Sequence, residues 1–220
     1  MEPTTSSPFQ GPSGLGVFGT ASLLLRRAHK PLFVLPLLVG GVVARVDLAG
    51  GISAHIRYRD TMEVVALWVL GSALLLALIN AARHRSGPCL WVAALMFSFF
   101  ARELHFTGTS NGVVVALLLL ITVLVRRSGS WQSTLNSRRF ATPLVTSFLC
   151  YFCSQSMDQR WWRIIPNESV WHTPVEETLE VLGHCFSLLL AWLTPGAAAG
   201  AAAGSGASAG ASGCAGAKEE

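Results

Sequence analysis

Residues 175–192, VEETLEVLGHCFSLLLAW, are apolar enough to enter a bilayer, yet they carry Glu176, Glu177, Glu180 and His184 in their first half. A helix turns about 100° per residue, so Glu177, Glu180 and His184 fall within about 60° of one another on one face. At about 1.5 Å of rise per residue, His184 lies more than about 10 Å inside the segment, near bilayer mid-depth. A charged side chain at the bilayer centre costs at least ~2.5–3.5 kcal/mol. Such groups face partners rather than lipid, so the rest of the chain has to supply them.

The rest of the chain is suited to that. Of its 220 residues 51% are hydrophobic and only 13% are charged, against about 25% charged in an ordinary soluble domain. Uncharged apolar runs recur along it. They predict an all-α fold, a polytopic transmembrane helical bundle of about six spans, at 31–48, 61–82, 89–106, 113–125, 140–157 and 175–192. The first is short in its apolar core and is followed at once by Arg45 and Asp47. Three parts are expected: a flexible N-terminal segment 1–25, the six-span domain 26–194, and an Ala/Gly/Ser-rich tail 195–220. The tail has no large apolar side chains to bury, so it reads as disordered. Residues 1–22 lack a basic region ahead of an apolar core, so they do not read as a signal peptide.

The net charge of +4 is not a nucleic-acid signal, because the basic residues sit in short clusters beside apolar runs. Arg26, Arg27 and Lys30, then Arg83 and Arg85, then Arg126, Arg127, Arg138 and Arg139 all fall on one face of a six-span bundle. The positive-inside rule places that face, and with it both termini, in the cytoplasm. The expected partner is the lipid bilayer of a cell membrane, and the sequence identifies no partner protein. A pathway through a chain this short would call for a homo-oligomer. Cys150 and Cys153 form a CxxC inside an apolar helix, without an adjacent basic group to activate a thiol. They read as small hydrophobes.

The same topology gathers the acidic residues at the opposite, outward face. Glu63 starts the second span, and Arg102, Glu103 and His105 end the third. Ser154 and Asp158, four apart and so on one helical face, end the fifth. Glu176, Glu177, Glu180 and His184 start the sixth. The bland alternative is a set of interface residues, with the acids at helix starts favoured by the macrodipole. Glu180 and His184 lie deeper, and ionisable groups at that depth are functional candidates. One reading is a structural, sensory or transport-type membrane protein held by a buried ion-pair network. The alternative is a metal-dependent membrane-embedded hydrolase. Glu180 and His184 at i, i+4, completed by Asp158, His105 or Glu103, have the spacing to grip a divalent metal. Nothing else in the sequence calls for a cofactor.

Three motifs carry a resemblance. Arg102-Glu103-Leu104-His105-Phe106, Ser154-Gln155-Ser156-Met157-Asp158 and Glu176-Glu177-Thr178-Leu179-Glu180, with Glu63, resemble a family of uncharacterised bacterial multi-pass inner-membrane proteins. The likeness covers roughly residues 30–194 and implies a topology and a set of site residues, but no activity. Ser154, Asp158 and His184 are also similar to the Ser, Asp and His set of seven-span ceramidase-like hydrolases. This chain departs from them in lacking paired His on its last helix and in its number of spans.

Overall fold

The computed structural model describes residues 15–48, 55–104 and 109–211. They form α1 (Val17–Arg27), a 3-10 turn (Lys30–Phe33), α2 (Leu35–Leu48), α3 (His55–His84) and α4 (Gly87–Glu103). Then follow α5 (Thr109–Arg127), the single turn α6 (Gln132–Leu135), α7 (Arg138–Asp158) and α8 (Glu168–Ala211). The described residues contain no strand, so the fold is all-α. Three stretches, Lys30–Leu48, Tyr58–His84 and Glu168–Ala198, are long and apolar enough to cross a membrane. The other expected segments are also helical, as α4, α5 and α7. Large apolar side chains point outward along the bundle, among them Leu37, Leu75, Phe97, Leu118 and Leu119. A soluble monomer rarely leaves so much apolar surface in water.

α8 is the hub, touching α2, α3, α4, α6 and α7. It runs parallel to α3, since Tyr58 meets Thr178 near the start of both helices and Asn80 meets Ala191 further along both. It runs antiparallel to α7, where Ser147 meets Ser187 and Tyr151 meets His184. α3 presents a buried seam of small residues, Ala66, Ala73, Ala77 and Ala81 around Leu70. Spaced by three or four, they share one helical face and let the backbones approach. Pro195 has no N–H, so it cannot close the helical hydrogen bond to the Ala191 carbonyl four residues earlier. The Asn80 side chain of α3 donates to that carbonyl at 2.8 Å instead. The core on this side is Phe140, Leu144, Leu190, Leu95 and Met96.

The two ends of the bundle differ in chemistry. At one end, Arg27 donates to Asn136 at 3.0 Å and Ser128 donates to the Val125 carbonyl at 2.7 Å, with the Leu15 carbonyl 3.3 Å from the same hydroxyl. The α3–α4 turn packs there on Trp131: a Cβ at Gly87 would sit 2.7 Å from the indole, so only glycine fits. This end carries the basic clusters. At the other end, α7 closes with Arg160 in the left-handed region at φ 56. Arg160 N–H donates to the Met157 carbonyl at 2.8 Å and Trp161 N–H to the Ser156 carbonyl at 3.1 Å. That pairing satisfies two of the last carbonyls of the helix. Trp162 Nε1 donates to Ser156 Oγ at 2.8 Å and Arg160 to Glu168 at 3.3 Å, which fixes the turn into α8.

Two expected boundaries move. Of the N-terminal segment 1–25, residues 1–14 lie outside the described residues, and 17–25 belong to α1, held to α7 with Thr20 and Leu24 buried. An apolar run of that length gains order by packing on a neighbour. The helix of α8 passes the expected tail boundary at 195 and continues to Ala211, through residues in which alanine, the best helix former, alternates with glycine and serine. In the α7–α8 turn Trp161 is exposed, whereas Trp171 in the first turn of α8 is buried against Cys153, Met157 and Val175.

Candidate functional site

At the acidic end, α3, α4, α5, α7 and α8 enclose a cleft of about 820 Å³. Its charged lining comes from four helices. α3 gives Arg59 and Glu63, α4 gives Arg102 and Glu103, α7 gives Asp158, and α8 gives Glu176, Glu177 and Glu180. Six carboxylates thus face two guanidinium groups. The rest of the lining is largely aromatic and aliphatic, including Phe99, Phe148, Tyr151 and Phe152. Helical period explains the set on α8, because residues 176, 177 and 180 share the face turned to the cleft while 175 and 179 turn away.

The pairing inside the cleft is specific. Arg102 Nη2 lies 3.0 Å from Glu180 Oε1, and Glu180 is largely buried. Arg59 Nε donates to Glu63 at 2.8 Å, one turn along the same helix, and reaches Glu177 Oε1 at 3.7 Å. Tyr58 OH lies 2.6 Å from Thr178 Oγ1. Asp158, at the mouth, accepts from Gln159 at 3.1 Å. Such ion pairs between helices in an apolar surround fix register, and removing one partner strands the other.

A buried polar seam leads from the cleft into the α7–α8 interface. His184 is 1% exposed. Its Nε2 lies 3.6 Å from Glu103 Oε1, and its Nδ1 lies 2.5 Å from Tyr151 OH. Ser187 Oγ is 3.4 Å from the same hydroxyl and 2.8 Å from Ser147 Oγ, which donates to the Gly183 carbonyl at 3.0 Å. Gly183 permits the approach: a Cβ there would lie 3.2 Å from the Tyr151 ring. Beyond Ser147 the seam meets the apolar plug of Phe140, Leu144 and Leu190.

The structure places the sequence candidates as follows. Glu63, Arg102, Glu103, Asp158, Glu177 and Glu180 line one cleft. His184 stands behind Glu103, out of the lining. Ser154 is buried one turn inside Asp158 and is not part of the lining. His105 lies outside the described residues. The expected metal shell of Glu180, His184 and Asp158 does not form: among the described residues no three His, Cys, Asp or Glu side chains converge on one point. The spacing was right for it, but each side chain is claimed by another neighbour, Glu180 by Arg102 and His184 by Tyr151. Cys150 and Cys153 are free thiols, both buried.

Arg59 and Tyr151 were not foreseen as site residues. Tyr151 sits between the two cysteines of the CxxC. The signal was composition: the chain has 11 Phe and only two Tyr, and both hydroxyls bond to α8. Comparison with protein-family models, with curated proteins and with solved structures found no match.

Proposed function

We propose that this is a six-span membrane protein of transport or sensory type whose outward-facing cleft takes a cation. The observation that carries the reading is the excess of carboxylates in a cleft of about 820 Å³ walled by aromatic rings. Carboxylates attract a positive charge, and ring faces add to its binding when it carries an apolar body. In this reading α2, α3, α4, α5, α7 and α8 cross the bilayer, the basic end is cytoplasmic, and both termini lie on that side. A metal-dependent hydrolase has less support, because the three ligands it needs do not gather among the described residues. Membership of the bacterial inner-membrane family that the three motifs resemble is part of the same proposal.

The test is calorimetric titration of the detergent-purified protein with tetraethylammonium, beside an organic anion of similar size. Saturable binding of the cation alone, weakened about tenfold or more in Glu176→Gln/Glu177→Gln, is the expected result. Equal binding of the two probes, or full affinity in the double variant, would overturn it. A topology reporter in the 159–167 turn should read non-cytoplasmic.

A further inference from the structure

The acidic cleft is open along one side. α5 and α7 both line it, yet α5 packs on α4 and makes no extensive contact with α7 among the described residues. Val113, Val114 and Leu117 form the α5 wall, and Phe148 and Phe152 belong to the α7 wall. Val114 is 57% exposed and Phe152 59% exposed, so side chains that line the cleft also form its outer edge. Towards the basic end the gap is shut. Trp91 of α4 donates from Nε1 to the Leu120 carbonyl of α5 at 2.8 Å, and its ring centre lies 6.4 Å from that of Phe140 on α7. One indole thus bridges the two helices below the cleft, where Leu124 and Leu144 join the core.

The slot grades from charged to apolar along its depth. On α7 the lining residues Asp158, Gln155, Phe152 and Phe148 recur every three or four positions, so they share one stripe. From Phe148 to Asp158 is about 15 Å of helical rise, half of a hydrocarbon core about 30 Å thick. The stripe passes from a carboxylate through an amide to two phenyl rings. More carboxylates stand at its charged end, from Glu63 in the first turns of α3 and from Glu176 and Glu177 in the first turns of α8. Beside the slot, Trp161 meets Phe152 edge to face at 6.1 Å and is itself exposed. An exposed indole at this end suits the headgroup level of a bilayer. A small cation from water would use the charged end alone. It has no use for an apolar half that opens sideways.

We propose that the cleft takes long-chain organic cations, amphiphiles with an ammonium head and one alkyl tail, and that they enter from the outer leaflet through the slot between α5 and α7. The inference rests on the cation-site reading above and adds the class of cation and its route. The head sits among the carboxylates, and the tail lies along the α7 stripe between Phe152 and Val114. Charge selects the head, because six carboxylates against two guanidinium groups repel an anionic amphiphile. Depth selects the tail, because the stripe spans one leaflet. The sideways route keeps the tail in an apolar medium throughout, so entry never exposes it to water.

The experiment uses the full chain in nanodiscs of zwitterionic lipid, with the signal of empty nanodiscs subtracted. Calorimetric titration compares dodecyltrimethylammonium, tetraethylammonium and the uncharged octaethylene glycol monododecyl ether. The dodecyl cation should bind saturably and at least about tenfold tighter than tetraethylammonium, an advantage that about two buried methylene groups supply. The uncharged ether should show no saturable binding. Val114→Trp fills the slot from an exposed position, and there the ratio of the two cation affinities should fall to about two or less. Val114→Phe, a smaller filling of the same edge, gives the same reading if the tryptophan variant does not fold. A wild-type ratio near one, or an undiminished ratio in the filled variants, would overturn the long-chain cation and its route, while tetraethylammonium binding keeps the cation site. Equal binding of the uncharged ether would reduce the slot to an apolar groove and overturn it too. If neither cation binds, the cation-site reading falls and this inference with it.

Discussion

Two cavities flank the first half of α8, both also lined by α7, and they differ in chemistry. On one side is the acidic cleft of about 820 Å³. On the other is an apolar groove of about 360 Å³, with Val175 and Leu179 of α8 facing Gly40, Gly41 and Ala44 of α2. Adjacent residues go to opposite sides: Val175 and Leu179 to the groove, Glu176 and Glu180 to the cleft. Helical period sorts the side chains, and the neighbours decide what each side becomes. Opposite the acids stand arginines on α3 and α4. Opposite the aliphatics stand Gly40, Gly41 and Ala44 of α2, with Met157, Trp162 and Trp171 completing the wall. A cavity walled by aliphatic and aromatic side chains is dry and shape-driven, whereas one walled by unequal charge is a field.

The largest effect that would test this contrast is on the apolar side. Leu179 is 1% exposed, and Leu179→Ala should cost ~2–4 kcal/mol of stability in detergent unfolding, by lost packing and an enlarged void. A cost near zero would mean that the groove wall is not packed as described. Next is Arg102→Ala, expected to cost ~1–3 kcal/mol because it strands Glu180 while the arginine itself is partly exposed. Adding Glu180→Gln should recover part of that loss, and failure to recover any would show that the two are not a pair. Glu177→Gln should be smaller still. Its partner Arg59 is largely exposed, so stability should move by less than ~0.5 kcal/mol while cation affinity falls severalfold. A stability loss above that would turn the cleft into scaffold rather than site. Of opposite sign is Gly41→Ala. A Cβ there meets open space, so the gain in helix propensity should stabilise by about 0.5–1 kcal/mol. Gly40→Ala should gain less, because its Cβ would come within 3.3 Å of Val175.

Much of this arrangement is readable from the chain. Apolar runs and basic clusters separate the ends, and i, i+3 and i, i+4 spacing puts Glu177, Glu180 and His184 on one stripe. The partners are not readable. Glu180 and His184 look like two ligands of one metal until Arg102 and Tyr151, from other helices, claim them separately. Spacing reports which side chains on one helix are neighbours. It does not report what stands across from them, because that depends on the rotation of each helix about its own axis. For the same reason Tyr151 does not stand out: one hydroxyl among apolar neighbours changes hydropathy little, yet it meets a buried histidine. α1 was missed because a run that short is ordered by the surface it lands on, here the start of α7.

The hydrogen bond from Asn80 to the Ala191 carbonyl has a consequence for how the protein is made. A chain synthesised from its N-terminus places α8 after the other described helices, although α8 is the one they pack on. Until it arrives, Asn80, Arg102 and Tyr151 each wait beside the place that α8 will fill, with their final partners not yet translated. The earlier helices can form but cannot settle. Biogenesis should therefore end in one late locking step, and a ribosome stalled before residue 175 should leave a bundle that quality-control proteases recognise as unfinished.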